Sequence, residues 1–296
     1  MTPTDDRRPN LLVILTDEER ERAWWPDTFR LPHRDRLAAR GVRFTAHHVH
    51  SMPCSPSRSN LMTGLHTHAT GVLDNVDFAW QGSMPTSVPT LGHRLRSAGY
   101  RTSYVGKWHL SRHDDLADGL EPYGFGDWVP PDRHGAPYLG HRHDGGTAAE
   151  AARLLARRRP DDRPWAMVVS FVNPHDIMLY PRFRTPRVRD HGIEPPVTLH
   201  EDLATKPAIQ RRWRAVCDLT AGRVRSERTW RMIANAYADL CLEVDGHIGT
   251  VLDALAASGE QDRTVVVCTS DHGDLAGAHG QRQKGAFIYR EITRVP

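Results

Sequence analysis

The first apolar run of the chain, Asn10 to Thr16 (NLLVILT), carries aliphatic side chains at both odd and even positions. A strand with one wet face alternates polar and apolar residues, so this run predicts a strand buried on both faces, as in a parallel sheet. It ends in an acidic cluster, Asp17, Glu18 and Glu19. Similar runs at Thr102–Val105, Trp165–Val172 (WAMVVSFV) and Thr264–Thr269 (TVVVCT) predict further strands, the last ending in Ser270, Asp271 and His272. A short strand is also predicted over Val42–His47. Helical patterns lie between these runs: Pro32–Arg40 closed by Gly41, Pro89–Ala98 closed by Gly99, and Thr147–Arg159. The longest covers Thr229–Ala257, where Ile233, Ala236, Leu240, Val244, Ile248, Val251 and Leu255 recur every three or four residues. Gly246 and Gly249 weaken its middle and make room for a kink. Residues 111–146, rich in Gly, Pro, His and Asp, predict a long functional loop, and residues 174–205 a second irregular stretch.

Strands alternating with helices predict an α/β fold: a mostly parallel sheet with helices on both faces, binding its ligands at the carboxyl ends of the strands. Two strands deliver Asp17 and Asp271 to that edge. The 296 residues suffice to bury a sizeable core without staples. A net charge of +3, with both signs interspersed, predicts no nucleic-acid partner. The longest aliphatic run, Leu11–Leu15, is far short of the roughly 20 residues of a membrane span, so no membrane partner is expected. The start, MTPTDDRRPN, lacks the basic and apolar stretches of a secretory signal, which predicts a cytoplasmic chain. Four cysteines, Cys54, Cys217, Cys241 and Cys268, form no CxxC pair, so a zinc ribbon or disulfide scaffold is not indicated. The last three fall in helical or strand patterns and are expected in the core. Nothing in the sequence sets an oligomeric state.

Cys54 to Gly64 (CSPSRSNLMTG) is the most informative stretch. Ser55 suits an N-cap, Pro56 the first helical turn, and Arg58 falls within that turn. Cys54 is thereby expected just outside a helix N-terminus, where free amides and the dipole lower a thiol pKa. Elsewhere, the HxH pairs His48/His50, His66/His68 and His141/His143 lack a neighbouring carboxylate or cysteine pattern and read as solvated residues. Gly99 to Lys107 is no P-loop, because Trp108 stands where a Ser or Thr is required.

CSPSR followed by LMTG resembles the signature of the sulfatase family of the alkaline phosphatase superfamily, in which the cysteine is oxidised to formylglycine. The resemblance extends in order through ILTDEE, GKWHL at 106–110, NPHD at 173–176, TSDHGD at 269–274 and RQKG at 282–285. It implies an alkaline-phosphatase-like fold and metal-dependent hydrolysis of a small sulfuric ester. A formylglycine-generating enzyme would be a partner, and the formylglycine hydrate made from Cys54 would attack sulfur. By the same resemblance Cys54, Arg58, Lys107, His109, His175 and Lys284 are the catalytic and substrate-contacting positions. Asp17, Glu18, Cys54, Asp271 and His272 are the metal ligands. An oxygen-rich donor set favours Ca²⁺ or Mg²⁺, one imidazole leaves Mn²⁺ or Zn²⁺ open, and the resemblance places Ca²⁺ first. Many relatives carry another residue where Glu18 stands, which makes it the least secure ligand. Lysine usage adds an independent hint: Lys and Arg number 39, only three are lysines (Lys107, Lys206, Lys284), and two fall in these motifs.

Family members continue past the point where this chain stops, so the expectation is one catalytic domain over residues 1–296, truncated before a C-terminal subdomain. Two alternatives stand beside a sulfatase: a phosphonate monoester or phosphodiester hydrolase of the same superfamily, since the same groups suit phosphorus, and an inactive remnant that binds anions or a partner chain.

Overall fold

A computed structural model describes residues 8–158, 163–182 and 188–296. Its sheet has four parallel strands: β1 (Asn10–Asp17), β2 (Arg101–Gly106), β3 (Trp165–Pro174) and β4 (Thr264–Ser270), in the order β2-β3-β1-β4. β1 is central, with Ile14 opposite Val169 of β3 and Cys268 of β4. The register with β3 shifts between Leu15 and Asp17, bringing Asp17 opposite Pro174. Eight α-helices are seen among the described residues: α1 (Pro32–Ala38), α2 (Cys54–Thr63), α3 (Thr67–Thr70), α4 (Leu91–Ser97), α5 (Gly140–Leu155), α6 (Ala208–Ala221), α7 (Glu227–Ala257) and α8 (Arg290–Thr293). None is long and apolar enough to cross a membrane.

Both faces are covered along β1, β2 and β3, which is why those strands read as continuous apolar runs, whereas on the edge strand β4 Val265 and Val267 are exposed, so the burial on both faces expected of TVVVCT does not hold. On one face Leu12, Ile14, Val105, Met167, Val169 and Phe171 pack against Ala148, Ala151 and Leu155 of α5 and Val244, Ile248, Val251 and Leu255 of α7. On the other, Leu15, Tyr104 and Val168 meet Met62 of α2 together with Trp108, Leu110, Tyr123 and Phe125. Ser226 caps α7 by accepting a hydrogen bond from Thr229 N. The apolar stripe of α7 is buried as the periodicity predicts. The helix runs unbroken through Gly246 and Gly249. Gly249 serves packing instead: a Cβ there would lie 2.4 Å from the His33 ring of α1. Cys217 and Cys241 are buried, Cys268 is half-buried, and none is in a disulfide.

Three boundaries differ from expectation. Val42–His47 forms no strand; Val42 and Phe44 are exposed, and the nearest pairing is an isolated bridge from His48 to Arg294. β propensity without a partner backbone makes no strand. The irregular stretch expected over 111–146 ends early, because α5 starts at Gly140, where the Asp176 carboxylate accepts from Gly140 N and His141 N, both at 3.0 Å. Helix α6 was not predicted. The end of the expected helix at Arg159, part of the irregular stretch 174–205 (residues 183–187) and residues 1–7 of the polar start lie outside the described residues.

Candidate active site

The carboxyl ends of β1, β3 and β4, the end of β2 and the start of α2 surround one buried group of charges. Asp17 closes β1, Asp271 and His272 follow β4, and His175 follows β3. Lys107 follows β2 directly. Its place depends on Gly106, whose φ is +92° and whose Cβ, if present, would sit 2.0 Å from the Ser170 carbonyl oxygen. That close approach lets Lys107 N donate to the same carbonyl at 2.9 Å. Glu18 and His109 also adopt left-handed backbone, with φ of +65° and +56°. Such conformations cost a non-glycine residue about 1–3 kcal/mol and gather at functional sites.

Cys54 is the first residue of α2, behind Pro53, so the helix begins before Ser55 rather than after it. Ser55 is no N-cap; its N–H donates to Asn75 Oδ1 at 3.0 Å and its Oγ accepts from Val76 N at 3.3 Å. The expected lowering of the thiol pKa is reversed: burial pushes the Cys54 thiol up, and the nearby Asp17 carboxylate adds to the rise.

Arg58, 1% exposed, ties the carboxylates together. Nε donates to Asp271 Oδ2 at 2.8 Å and Nη2 to Asp17 Oδ2 at 3.1 Å, while Nη1 donates to the Lys107 carbonyl and to Ser170 Oγ, both at 2.9 Å. The guanidinium spans the two acids as a fork, and the compact ammonium groups of Lys107 and Lys284 take up buried carboxylate oxygens as point charges. Lys107 Nζ lies 2.5 Å from Asp17 Oδ2, and Lys284 Nζ 2.8 Å from Glu18 Oε2. Burial penalises the Asp17 carboxylate, but the cations beside it, Lys107 ahead of Arg58, outweigh the penalty and hold the group well below the usual range. Burial, with Asp17 beside it, raises Asp271. Burial opposes the charge on Lys284 too, yet Cys54 and Glu18 hold it well above the ordinary lysine value. His175 is pushed well down by burial, then by Lys284 and Lys107, and is a neutral imidazole.

Asp17, Cys54, Asp271 and His272 each offer one ligand atom within 4.8 Å of the others. His272 Nδ1 lies 3.0 Å from the Gly273 carbonyl, which only accepts, so Nδ1 carries the proton. Nε2 therefore turns a lone pair toward Cys54 Sγ at 3.2 Å and toward Asp17 Oδ1 and Asp271 Oδ1, each at 3.8 Å. Electron-rich atoms converging from four residues, with the imidazole tautomer fixed by a backbone carbonyl, fit a divalent cation. Glu18 stands one step aside: Oε2 is taken by Lys284 and faces His175 Nε2 at 3.7 Å, while Oε1 is buried without a hydrogen-bond partner. Burial raises its carboxyl well above the usual value.

Of the positions named from sequence, all but His109 meet here; His109 Nε2 lies 2.8 Å from Asp77 Oδ2 instead. Sequence reasoning missed Ser170 and Tyr237. A lone serine within WAMVVSFV was a readable signal for the first. The second is one apolar-face position of a long helix, and gives no signal that its hydroxyl donates to the Glu18 carbonyl at 2.6 Å and accepts from Arg20 N at 2.9 Å.

The sulfatase family model matches residues 9–296. The chain belongs to the sulfatase family. Among curated relatives, an uncharacterized sulfatase, YidJ, of Escherichia coli (strain K12) is 29% identical over 325 residues, covering 98% of this chain and 62% of the relative. Choline-sulfatase of Rhizobium meliloti (strain 1021) is 27% identical with the same two shares, 98% and 62%. This sulfatase-family chain thus spans about three fifths of the length of those relatives. Among solved structures, a 2-O GAG sulfatase aligns with a TM-score of 0.79 at 24% identity, covering 98% of this chain and 63% of its own. A sulfatase-fold protein solved in complex with its substrate D-glucosamine-2-N,6-O-disulfate aligns at 0.73 and 20%, covering 98% and 70%. Phosphonate monoester hydrolase of Agrobacterium radiobacter aligns at 0.73 and 22%, covering 98% and 67%. At these identities the structures share the fold, an alkaline-phosphatase-like α/β architecture.

Proposed function

We propose that this chain carries the catalytic centre of a metal-dependent sulfuric ester hydrolase acting on a small sulfated substrate, with formylglycine made from Cys54 as nucleophile. The observation that carries the reading is the convergence of Cys54 with Asp17, Asp271 and His272 on one side and with Lys107, Lys284 and His175 on the other. A sulfate ester spreads negative charge over its outer oxygens and has a poor leaving group, so the site must supply a nucleophile, cations and a proton donor.

Asp17, Asp271, His272 and the residue at 54 would hold the ion, Ca²⁺ ahead of Mn²⁺ or Mg²⁺. When bound, it supplies a Lewis acid that polarises a sulfate oxygen and lowers the pKa of a hydroxyl. The hydrated formylglycine supplies that hydroxyl. The chain's own side chains do the remaining work. Arg58 keeps Asp17 and Asp271 apart and aimed. Lys107 and Lys284 exchange their carboxylate partners for the outer oxygens of the ester as it enters. The anionic ester offsets the charges of Lys107 and Lys284, which disfavour a proton on His175 in the empty site, so that His175 can take up a proton and pass it to the departing oxygen. Glu18, whose Oε1 has no hydrogen-bond partner among the described residues, would be a further residue able to hold the ion.

The test is the mass of the Cys54 peptide from protein made alongside a formylglycine-generating enzyme, followed by turnover of an aryl sulfate and an aryl phosphonate monoester. Conversion of the thiol to an aldehyde and preference for the sulfate are expected. An unmodified thiol removes the nucleophile, a clear preference for phosphorus moves the chain to the phosphonate hydrolases, and no turnover by the modified, metal-loaded protein supports an anion-binding role.

A further inference from the structure

His109 is gripped in the loops above the strand ends. Its Nε2 faces Asp77 Oδ2 at 2.8 Å, and His134 Nε2 faces Asp77 Oδ1 at 3.0 Å. The two imidazoles stack with centroids 4.4 Å apart and planes 14° apart. His134 is oriented in turn by its Nδ1, 3.0 Å from the Asp132 carbonyl. The Asp132 carboxylate accepts from Trp108 N at 3.0 Å and His109 N at 2.6 Å, and the His134 carbonyl accepts from Lys107 Nζ at 2.7 Å. The segment that places Lys107 is therefore the one that places His109.

Two histidines and an aspartate resemble a metal-ligand set, and the stacking decides against that use. An imidazole binds an ion in its own ring plane, along the nitrogen lone pair. Rings stacked in near-parallel planes share no such point close to both. The two oxygens of a single carboxylate, however, serve two parallel rings, one each. Ionised Asp77 only accepts, so the proton of His109 sits on Nε2 and its Nδ1 keeps a lone pair. That Nδ1 is buried and has no hydrogen-bond partner among the described residues. An unpaired buried acceptor costs about 1–3 kcal/mol, which a substrate or nucleophile hydroxyl would return on binding.

We infer that Asp77, braced by His134, is a positioning residue: it locks His109 in the Nε2–H tautomer and so leaves Nδ1 as a buried hydrogen-bond acceptor, on the same segment that places Lys107, for a hydroxyl of the reacting groups. The charges agree with this arrangement. Burial and then Lys107 push His109 down to about 3, so the ring is neutral, while Asp77, despite partial burial, is held well below its ordinary value by hydrogen bonds from His109 and His134. The inference rests on the sulfatase reading for the identity of the reacting groups, and not for the clamp itself.

Two measurements test it separately. In protein labelled with ¹⁵N-histidine at pH 7, with His109 assigned by its loss in His109→Gln, the expected pair of shifts is a protonated Nε2 and an unprotonated Nδ1. This pair should persist in Asp77→Asn and give way to tautomer exchange in Asp77→Ala. Asparagine can keep both contacts, accepting from His109 through Oδ1 and donating through Nδ2 to His134, whose own proton faces Asp132. In modified, metal-loaded enzyme, Asp77→Ala should lower kcat for an aryl sulfate about 10–100-fold with KM changed less than about threefold, and Asp77→Asn should recover most of that loss. A protonated Nδ1 in the parent protein, or an undiminished kcat in Asp77→Ala, overturns the inference. The clamp signature in a parent protein that hydrolyses no ester upholds the clamp and removes the sulfatase reading.

Discussion

His272 and His109 are both buried imidazoles beside carboxylates, and the fold turns them in opposite senses. His272 gives its proton to the backbone carbonyl of Gly273 and points its lone pair into Asp17, Asp271 and Cys54. His109 gives its proton to Asp77 and keeps its lone pair away from any acid. Strand ends build the first cluster, where Asp17 and Asp271 are 0% exposed; loops build the second, where Asp77 is about half exposed. A neighbouring carboxylate therefore does not tell what a histidine is for. The partner of the other ring nitrogen does: a carbonyl there frees the lone pair for a cation, and an empty place there frees it for a proton.

The largest expected effect on this contrast is at the strand ends. Cys54→Ala should abolish ester turnover, by at least about 10⁴-fold in kcat, with circular dichroism unchanged. Residual activity near the parent level would place the chemistry elsewhere, the loop cluster included. Arg58→Lys should cost about 10²-fold in turnover and about 2–3 kcal/mol in urea unfolding, since one ammonium cannot span Asp17 and Asp271. An unchanged midpoint would mean that the fork is dispensable. Chelation should lower Tm as well as activity. At an ion concentration about 100 times Kd, binding stabilises by about 2.7 kcal/mol, a shift of about 4 °C for a chain of this size. Ca²⁺ should restore both, and Asp271→Asn should remove most of the metal-dependent shift in calorimetry. The smallest effect sharpens the contrast: Asp77→Ala should change that metal-dependent shift by less than about 1 °C, because its cluster holds no ion. A shift as large as that of Asp271→Asn would show that the two clusters share the metal.

The strand-end cluster was largely legible in the sequence, and the loop cluster was not. Continuous apolar runs mark parallel strands, and whatever follows such a run arrives at the sheet edge, so Asp17, Asp271 and His272 could be placed by counting along the chain, while Lys107 and His175 were named by the family resemblance. Asp77 and His134 lie in irregular segments, where only the packed loops bring them to His109. The start of α5 was hidden for a similar reason, since its cap is Asp176 from beyond β3 rather than a residue beside it. In α6 Ile209, Trp213, Val216 and Cys217 do recur at helical spacing, a signal that went unread, although the buried side carries Gln210, Cys217 and Ala221 and leaves Ile209, Val216 and Leu219 exposed. The thiol of Cys54 misled because local helix geometry favours a thiolate while burial, which no local pattern displays, opposes it.

Lysine scarcity has a practical side. Lys107 is 0% exposed and Lys284 7%, and both ammonium groups are engaged by carboxylates. Lys206, paired with Glu201 near the surface, is the lysine left within reach of solvent. Among the three lysines, amine-directed acylating reagents will therefore modify Lys206 in the folded chain and spare the other two. Acylation at Lys107 or Lys284 then becomes a clock for how often the strand ends open, read by peptide mass without any substrate in hand.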